Sequence, residues 1–232
     1  MTTVNILSGG AAQGLVRGLT ETFKAQTGLS IDGEFGAVGI MADKLRAGTA
    51  ADLVILTQAL LAKLAEETLV IPSSIANVGR VETALAVRSR DPRVEVKTEA
   101  DLREMLRSAD AIYVPDTKAS TAGQHIGKLL DQLGIAYEVA SRLKIFPNGA
   151  TAMRELAAST AQRPIGCTQA TEIIATDGIA LSGSLPPGCE LVTMYTAGVT
   201  ARAAHPKEAA ALVALLTGAD RRELRRRVGF AD

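Results

Sequence analysis

A chain of 232 residues with 47% apolar side chains has material for one large domain or two modest ones. Aromatic residues make up only 3%, Trp is absent, and 25 Lys plus Arg balance 25 Asp plus Glu. This leaves no stacking platform for single-stranded nucleic acid and no net field to attract nucleic acid or a membrane surface.

In chain order, Val4–Ser8 reads as a strand followed by a Gly9-Gly10 turn. A helix to about Ala25 carries Leu15, Val16, Leu19 and Phe23 on one face. After Gly28, Leu29–Phe35 is a second strand. Gly36 and Gly39 then open a short helix that ends at Gly48, and the all-apolar Leu53–Leu56 forms a third strand ending at Thr57. Gln58–Glu67 is a further helix. Val78–Arg88 is a long strand-like run without a flanking Gly loop. Thr98 is a plausible cap for a helix to Arg107. Ala111–Val114 is a strand, Thr121-Ala122-Gly123 opens a helix to Leu133, and Leu143–Phe146 is a strand. A helix over 150–158, a strand at Pro164–Thr168, a short helix at Ala170–Ile174 and a strand at Ile179–Leu181 follow. Glu190–Ala201 is a second long strand-like run, and His205-Pro206 starts a helix with Pro in its first turn. The dense basic run Arg221, Arg222, Arg225, Arg226 and Arg227 reads as the solvated face of a last helix.

Strands alternating with helices give an α/β fold. The two long runs enclose an α/β block of domain size. The expected architecture is therefore two α/β lobes joined by two crossover strands, with a ligand cleft between them. Lobe 1 is 1–80 plus 193–232, lobe 2 is the inserted 81–192, and the hinge strands lie near 78–88 and 190–201. A hinged bilobed chain closes on a ligand, which in open α/β sheets lies beyond the carboxyl ends of the strands. Glycine loops there leave helix amides bare, a ready site for an anion.

The pieces GAVGIMADKLRAGTAADLVILT (36–57), VPD…STAGQHIGKLLDQLGI (114–135), PIGCTQATEI (164–173) and the closing AAHPKEAAALVALLT…GF, in this order, resemble the type II periplasmic solute-binding proteins. Within these the chain most resembles the molybdate-type binding components of ABC transporters. The resemblance implies a small anionic ligand and, for an exported protein, an ABC transporter permease as partner. It places a ligand hydroxyl after the first strand at Ala11 and a second at Val38 or Gly39, an amide at Ala122, and a tyrosine at Gln169. The amides are thus kept and the hydroxyls are not, which suits an organic carboxylate better than a tetrahedral oxyanion that relies on several donors.

The candidate ligand shell consists of Ser8, Gly9, Gly10 and Ala11; Gly36, Ala37, Val38 and Gly39; Thr57; Thr121, Ala122 and Gly123; Asn148 and Gly149; Thr168 and Gln169; and Tyr195 from the second long run. Binding of a small organic carboxylate or oxyanion is the first reading. The alternative is an isomerase or tautomerase of a small unsaturated carboxylate, with Cys167 as nucleophile and His125 as acid–base group. No HExxH, CxxC, Walker lysine, GxGxxG or GxSxG spacing occurs, so no metal and no cofactor is expected. Nor is membrane insertion, since no apolar run approaches the ~18 residues of a span. Met1-Thr2-Thr3 leads straight into a strand with no secretory pattern. A cytoplasmic location is expected if this is the native full length, and a periplasmic one if a signal was trimmed. Cys167 and Cys189 would pair only in an oxidising compartment.

Overall fold

The computed structural model describes residues 3–231. β1 (Thr3–Gly9) passes through a 3-10 turn (Gly10–Ala12) into α1 (Gln13–Thr27), followed by β2 (Ser30–Gly36), α2 (Val38–Arg46), β3 (Leu53–Thr57) and α3 (Gln58–Glu66). Next come β4 (Ala76–Arg88), α4 (Glu99–Ser108), β5 (Ala111–Pro115), α5 (Thr121–Gln132), α6 (Ala136–Val139), β6 (Leu143–Phe146) and α7 (Gly149–Ala158). β7 (Pro164–Gln169), α8 (Ala170–Ile174), β8 (Ile179–Ser184), β9 (Val192–Val199), α9 (Pro206–Thr217) and α10 (Arg222–Arg227) complete the chain. The chain divides into two compact units, one running to Val81 and resuming at Thr193, the other Glu82–Val192.

In the first unit the strand order is β2-β1-β3-β9, with β9 antiparallel to β3 and the others parallel. The all-apolar sequence of β3 is explained by its place between two strands, where Leu53, Val54, Ile55 and Leu56 are fully buried. Leu15, Leu19 and Phe23 bury one face of α1, and Gly28 closes that helix in the left-handed region at φ 74°.

In the second unit β7 pairs with β4 and β5, and β5 with β6; β8 pairs with the other edge of β4. Alternation along β4 separates two cores. Leu85 and Val87 join Leu102, Ile112, Ile126, Leu129 and Cys167 on one face. Ala84 and Ala86 join Met153, Leu156 and Ile173 on the other. α5 therefore covers the first face and α7 the second.

The basic run is not uniformly solvated. Arg225 is buried, and its Nη1 donates to the carbonyls of Leu216 (3.1 Å) and Gly218 (2.8 Å). It thereby satisfies acceptors left open at the C-terminus of α9. Arginine spacing alone does not show which member of the run turns inward.

Candidate functional site

In the first unit, β1 and β2 are adjacent parallel strands in register, with Gly9 opposite Gly36. Each leads into a helical turn. The 3-10 turn after Gly9 and α1 behind it have no side-chain cap and no acidic residue in the first turn. α2 begins at Val38 with Ala37 at its N-cap, likewise without side-chain cap or acid. Two helix starts with uncapped amides thus lie side by side at the carboxyl ends of neighbouring strands, carrying the positive ends of both helix dipoles. A Cβ at position 9 would lie 2.7 Å from Val38 Cγ1 and 3.0 Å from Tyr195 Cε1, so these three residues crowd one spot. Tyr195 stands opposite Thr57 in the β3–β9 pairing, and its ring meets Phe230 edge-on at 6.3 Å.

The hydroxyls of Ser8 and Thr57 are engaged locally. Ser8 is fully buried and donates to the Gly9 carbonyl at 2.9 Å. Thr57 caps α3, its Oγ1 accepting from the Leu60 amide at 3.4 Å. The candidate donors here are the backbone amides of 10–12 and 37–39, at helix starts without side-chain caps.

Two helix starts of the second unit are treated differently. Ser120 caps α5 by accepting from the Gly123 amide at 3.4 Å. Asn148 caps α7 by accepting from the Thr151 amide at 2.9 Å. Beyond that cap sits a carboxylate of the chain itself. Glu172, on α8, is 6% exposed, and Thr168 Oγ1 donates to its Oε2 at 2.6 Å. The amides of Gln169, Ala150 and Gly149 also donate to it. Burial pushes the carboxyl above its ordinary pKa, and these four donors pull it partly back. A Cβ at Gly149 would overlap Glu172 Oε2 and Thr168 Oγ1, so only glycine admits the carboxylate here. The start of α7, expected to serve a ligand, is thus filled from within.

The nucleophile reading loses its geometric basis. Cys167 is 2% exposed, lies among Leu85, Leu102, Ile112 and Ile126, and burial raises its thiol pKa, which disfavours the thiolate. Alternation along β7 turns it into the α5-side core. His125 Nε2 lies 2.8 Å from the Cys189 carbonyl, tying the imidazole to backbone. Cys167 and Cys189 are both free thiols.

With this geometry in view, residues 4–231 match the profile of the bacterial extracellular solute-binding proteins. The chain belongs to that family. Among solved structures, the periplasmic molybdate-binding protein of Azotobacter vinelandii superposes with a TM-score of 0.82 at 16% identity, over 99% of both chains. The sulfate-binding protein SubI of Mycobacterium tuberculosis H37Rv gives 0.75 at 18% identity, over 99% of this chain and 86% of that one. At such identities the likeness is one of fold. A curated relative, aconitate isomerase from a Pseudomonas species, is 25% identical over 231 residues, 95% of this chain and 84% of its own length.

This solute-binding protein therefore has the type II, molybdate-type fold that its motifs resemble. At the positions given to oxyanion hydroxyls it carries Ala11 and Val38, 2% and 6% exposed. Gln169, at the position of the tyrosine, ends β7 and precedes α8. Sequence reasoning missed Glu172 and Ser120. The i,i+4 pair Thr168/Glu172 across a strand-to-helix junction was the one available signal for Glu172. Among the described residues no cluster of His, Cys, Asp and Glu suits a metal ion, and no helix is long and apolar enough to cross a membrane.

Proposed function

We propose that this protein binds a small organic polycarboxylate, with the uncapped amides of 10–12 and 37–39 holding one carboxylate. The observation that carries this is the pair of adjacent helix starts in the first unit, both without side-chain cap or acid. Anions are favoured at such ends, and membership of a solute-binding family supports a soluble ligand. Ala11 and Val38 supply no hydroxyl for a tetrahedral oxyanion, and a relative is named for aconitate, a tricarboxylate. In the second unit the start of α5, with the Ala122 amide in its first turn, is a candidate for a carboxylate on the same physical ground. The family's extracellular description supports an exported receptor with an ABC permease as partner.

A thermal-shift panel of trans-aconitate, cis-aconitate, succinate, sulfate and molybdate tests this. Ligand at a hundred times Kd adds about 2.7 kcal/mol, roughly 5–10 °C for a chain of this size. A shift with the carboxylates and none with molybdate is expected, and the reverse pattern overturns the reading.

The aconitate isomerase relative favours a second reading, in which the bound carboxylate is isomerised. Following the two aconitate isomers by NMR in the presence of the protein separates the two, since a binding protein leaves the ratio unchanged. Catalysis through Cys167 and His125 is not part of this reading, because each is held in a structural setting.

A further inference from the structure

Polar side chains around the α7 end of the second unit find partners: Thr168 donates to Glu172, Thr176 to the Glu172 carbonyl, and Tyr113 to Ser159 Oγ. Thr83 does not. It is 1% exposed, and its Oγ1 has no hydrogen-bond partner among the described residues. A buried hydroxyl left without a partner is destabilising, and each such group requires an explanation. Thr171 and Thr196 share this state, but Thr83 is set apart by its place. It stands directly opposite Gln169 in the β4–β7 pairing. Alternation puts it on the face of β4 that carries Leu85 and Val87, the face packed by α5 through Ile126, Leu129 and Leu130. It therefore lies at the carboxyl end of parallel β7, at the same end of the unit as the start of α5.

We propose that the Thr83 hydroxyl is a ligand contact of the second unit, donating to a carboxylate oxygen of an organic acid beside Gln169. The assignment rests on the carboxylate-binding reading above. A neutral donor in a dry position suits this role, because a hydrogen bond to an ionised acceptor is stronger than one between neutral groups and needs no second buried charge. No described protein group partners this hydroxyl, so its removal should have opposite effects on folding and on binding.

Titration calorimetry with trans-aconitate and thermal unfolding of the wild type, Thr83→Val and Thr83→Ser test the assignment. Val keeps the shape and deletes the donor. The ligand-free Thr83→Val protein is expected to unfold at the same temperature as the wild type or higher, while its affinity falls about 10- to 100-fold. Thr83→Ser is expected to bind within about threefold of the wild type, since the donor is kept. Equal affinity of Thr83→Val and wild type overturns the assignment and leaves the carboxylate reading standing. Failure of the wild type to bind trans-aconitate overturns both. Should Thr83→Val fail to fold, Thr83→Ala supplies the same comparison.

Discussion

Glu172 shows how one side chain can settle the character of a helix end. Its carboxylate answers the Thr168 hydroxyl and the amides of Gln169, Ala150 and Gly149. Glu172→Ala would leave all four donors without it in a buried site, and a loss of about 2–4 kcal/mol in urea unfolding is expected; a loss under 1 kcal/mol would mean that water replaces it. The pH dependence follows from the raised pKa. Between the ordinary value of 4.5 and the higher folded value, the folded chain binds more protons than the unfolded one. The stability linked to this group is therefore complete below the ordinary value and declines as pH rises through the folded one. Glu172→Gln keeps an acceptor and removes the titration. Its melting temperature relative to the wild type should rise from about pH 4 to pH 7, and a pH-independent difference would contradict the assignment. Cys167 gives a contrasting residue-scale expectation. Packed among aliphatic side chains, it should resist iodoacetamide in the folded protein, and Cys167→Ala should lose about 1 kcal/mol of stability with ligand affinity unchanged.

At the scale of the element, capping sets α1 and α2 apart from four other helices. α3, α4, α5 and α7 have side-chain caps at Thr57, Thr98, Ser120 and Asn148, and α4 adds a capping box with Asp101. α1 and α2 have none. If the bare end of α2 holds an anion, Ala37→Asp should fill it permanently, as Glu172 does at α7. The substitution should leave the ligand-free melting temperature within a few degrees of the wild type or raise it, since an Asp cap contributes about 0.5–2 kcal/mol. It should weaken carboxylate binding at least tenfold by like-charge repulsion, on the order of 1.4 kcal/mol. Unchanged affinity by calorimetry would remove α2 from the site. The elements themselves were legible because hydrophobic period and glycine punctuation are local signals. The helix expected over 98–107 forms at Glu99–Ser108, and the strand-like run over 78–88 forms at Ala76–Arg88. Glu190–Ala201 shortens to Val192–Val199, because apolar and β-branched residues extend past the last ladder partner. What stayed hidden depended on partners distant in sequence. Glu172 reaches amides 22 and 23 residues earlier, His125 meets a carbonyl 64 residues away, and alternation alone does not say which face of β7 is core. Ser8 is a donor candidate in sequence for the same reason, since sequence does not reveal a hydroxyl turned onto its own neighbour's carbonyl.

For the whole molecule, chain connectivity determines which pieces can stand alone. The unit Glu82–Val192 is continuous in sequence. It has aliphatic cores on both faces of its sheet, one built around Leu102, Ile112 and Leu129 and the other around Met153 and Leu156, and its size lies within the range of independent domains. Expressed alone, it is expected to give a cooperative thermal transition and far-UV signal of mixed α/β content. The first unit is discontinuous, and its sheet is completed only when β9 returns to pair with β3 from Leu53 to Thr57. A fragment ending at Val81 would leave one edge of β3 unpaired along Leu53–Leu56, each fully buried in the complete chain. It would also lack α9, whose Leu212 and Leu216 are fully buried. A long, apolar, unpaired edge is a template for association. The 1–81 fragment is therefore expected to aggregate or remain unfolded, and a polypeptide joining 1–81 to 193–232 through a short Gly/Ser linker to recover solubility. A soluble, cooperatively folding 1–81 fragment would show that β3 does not depend on β9, and that the closing segment contributes little to the core.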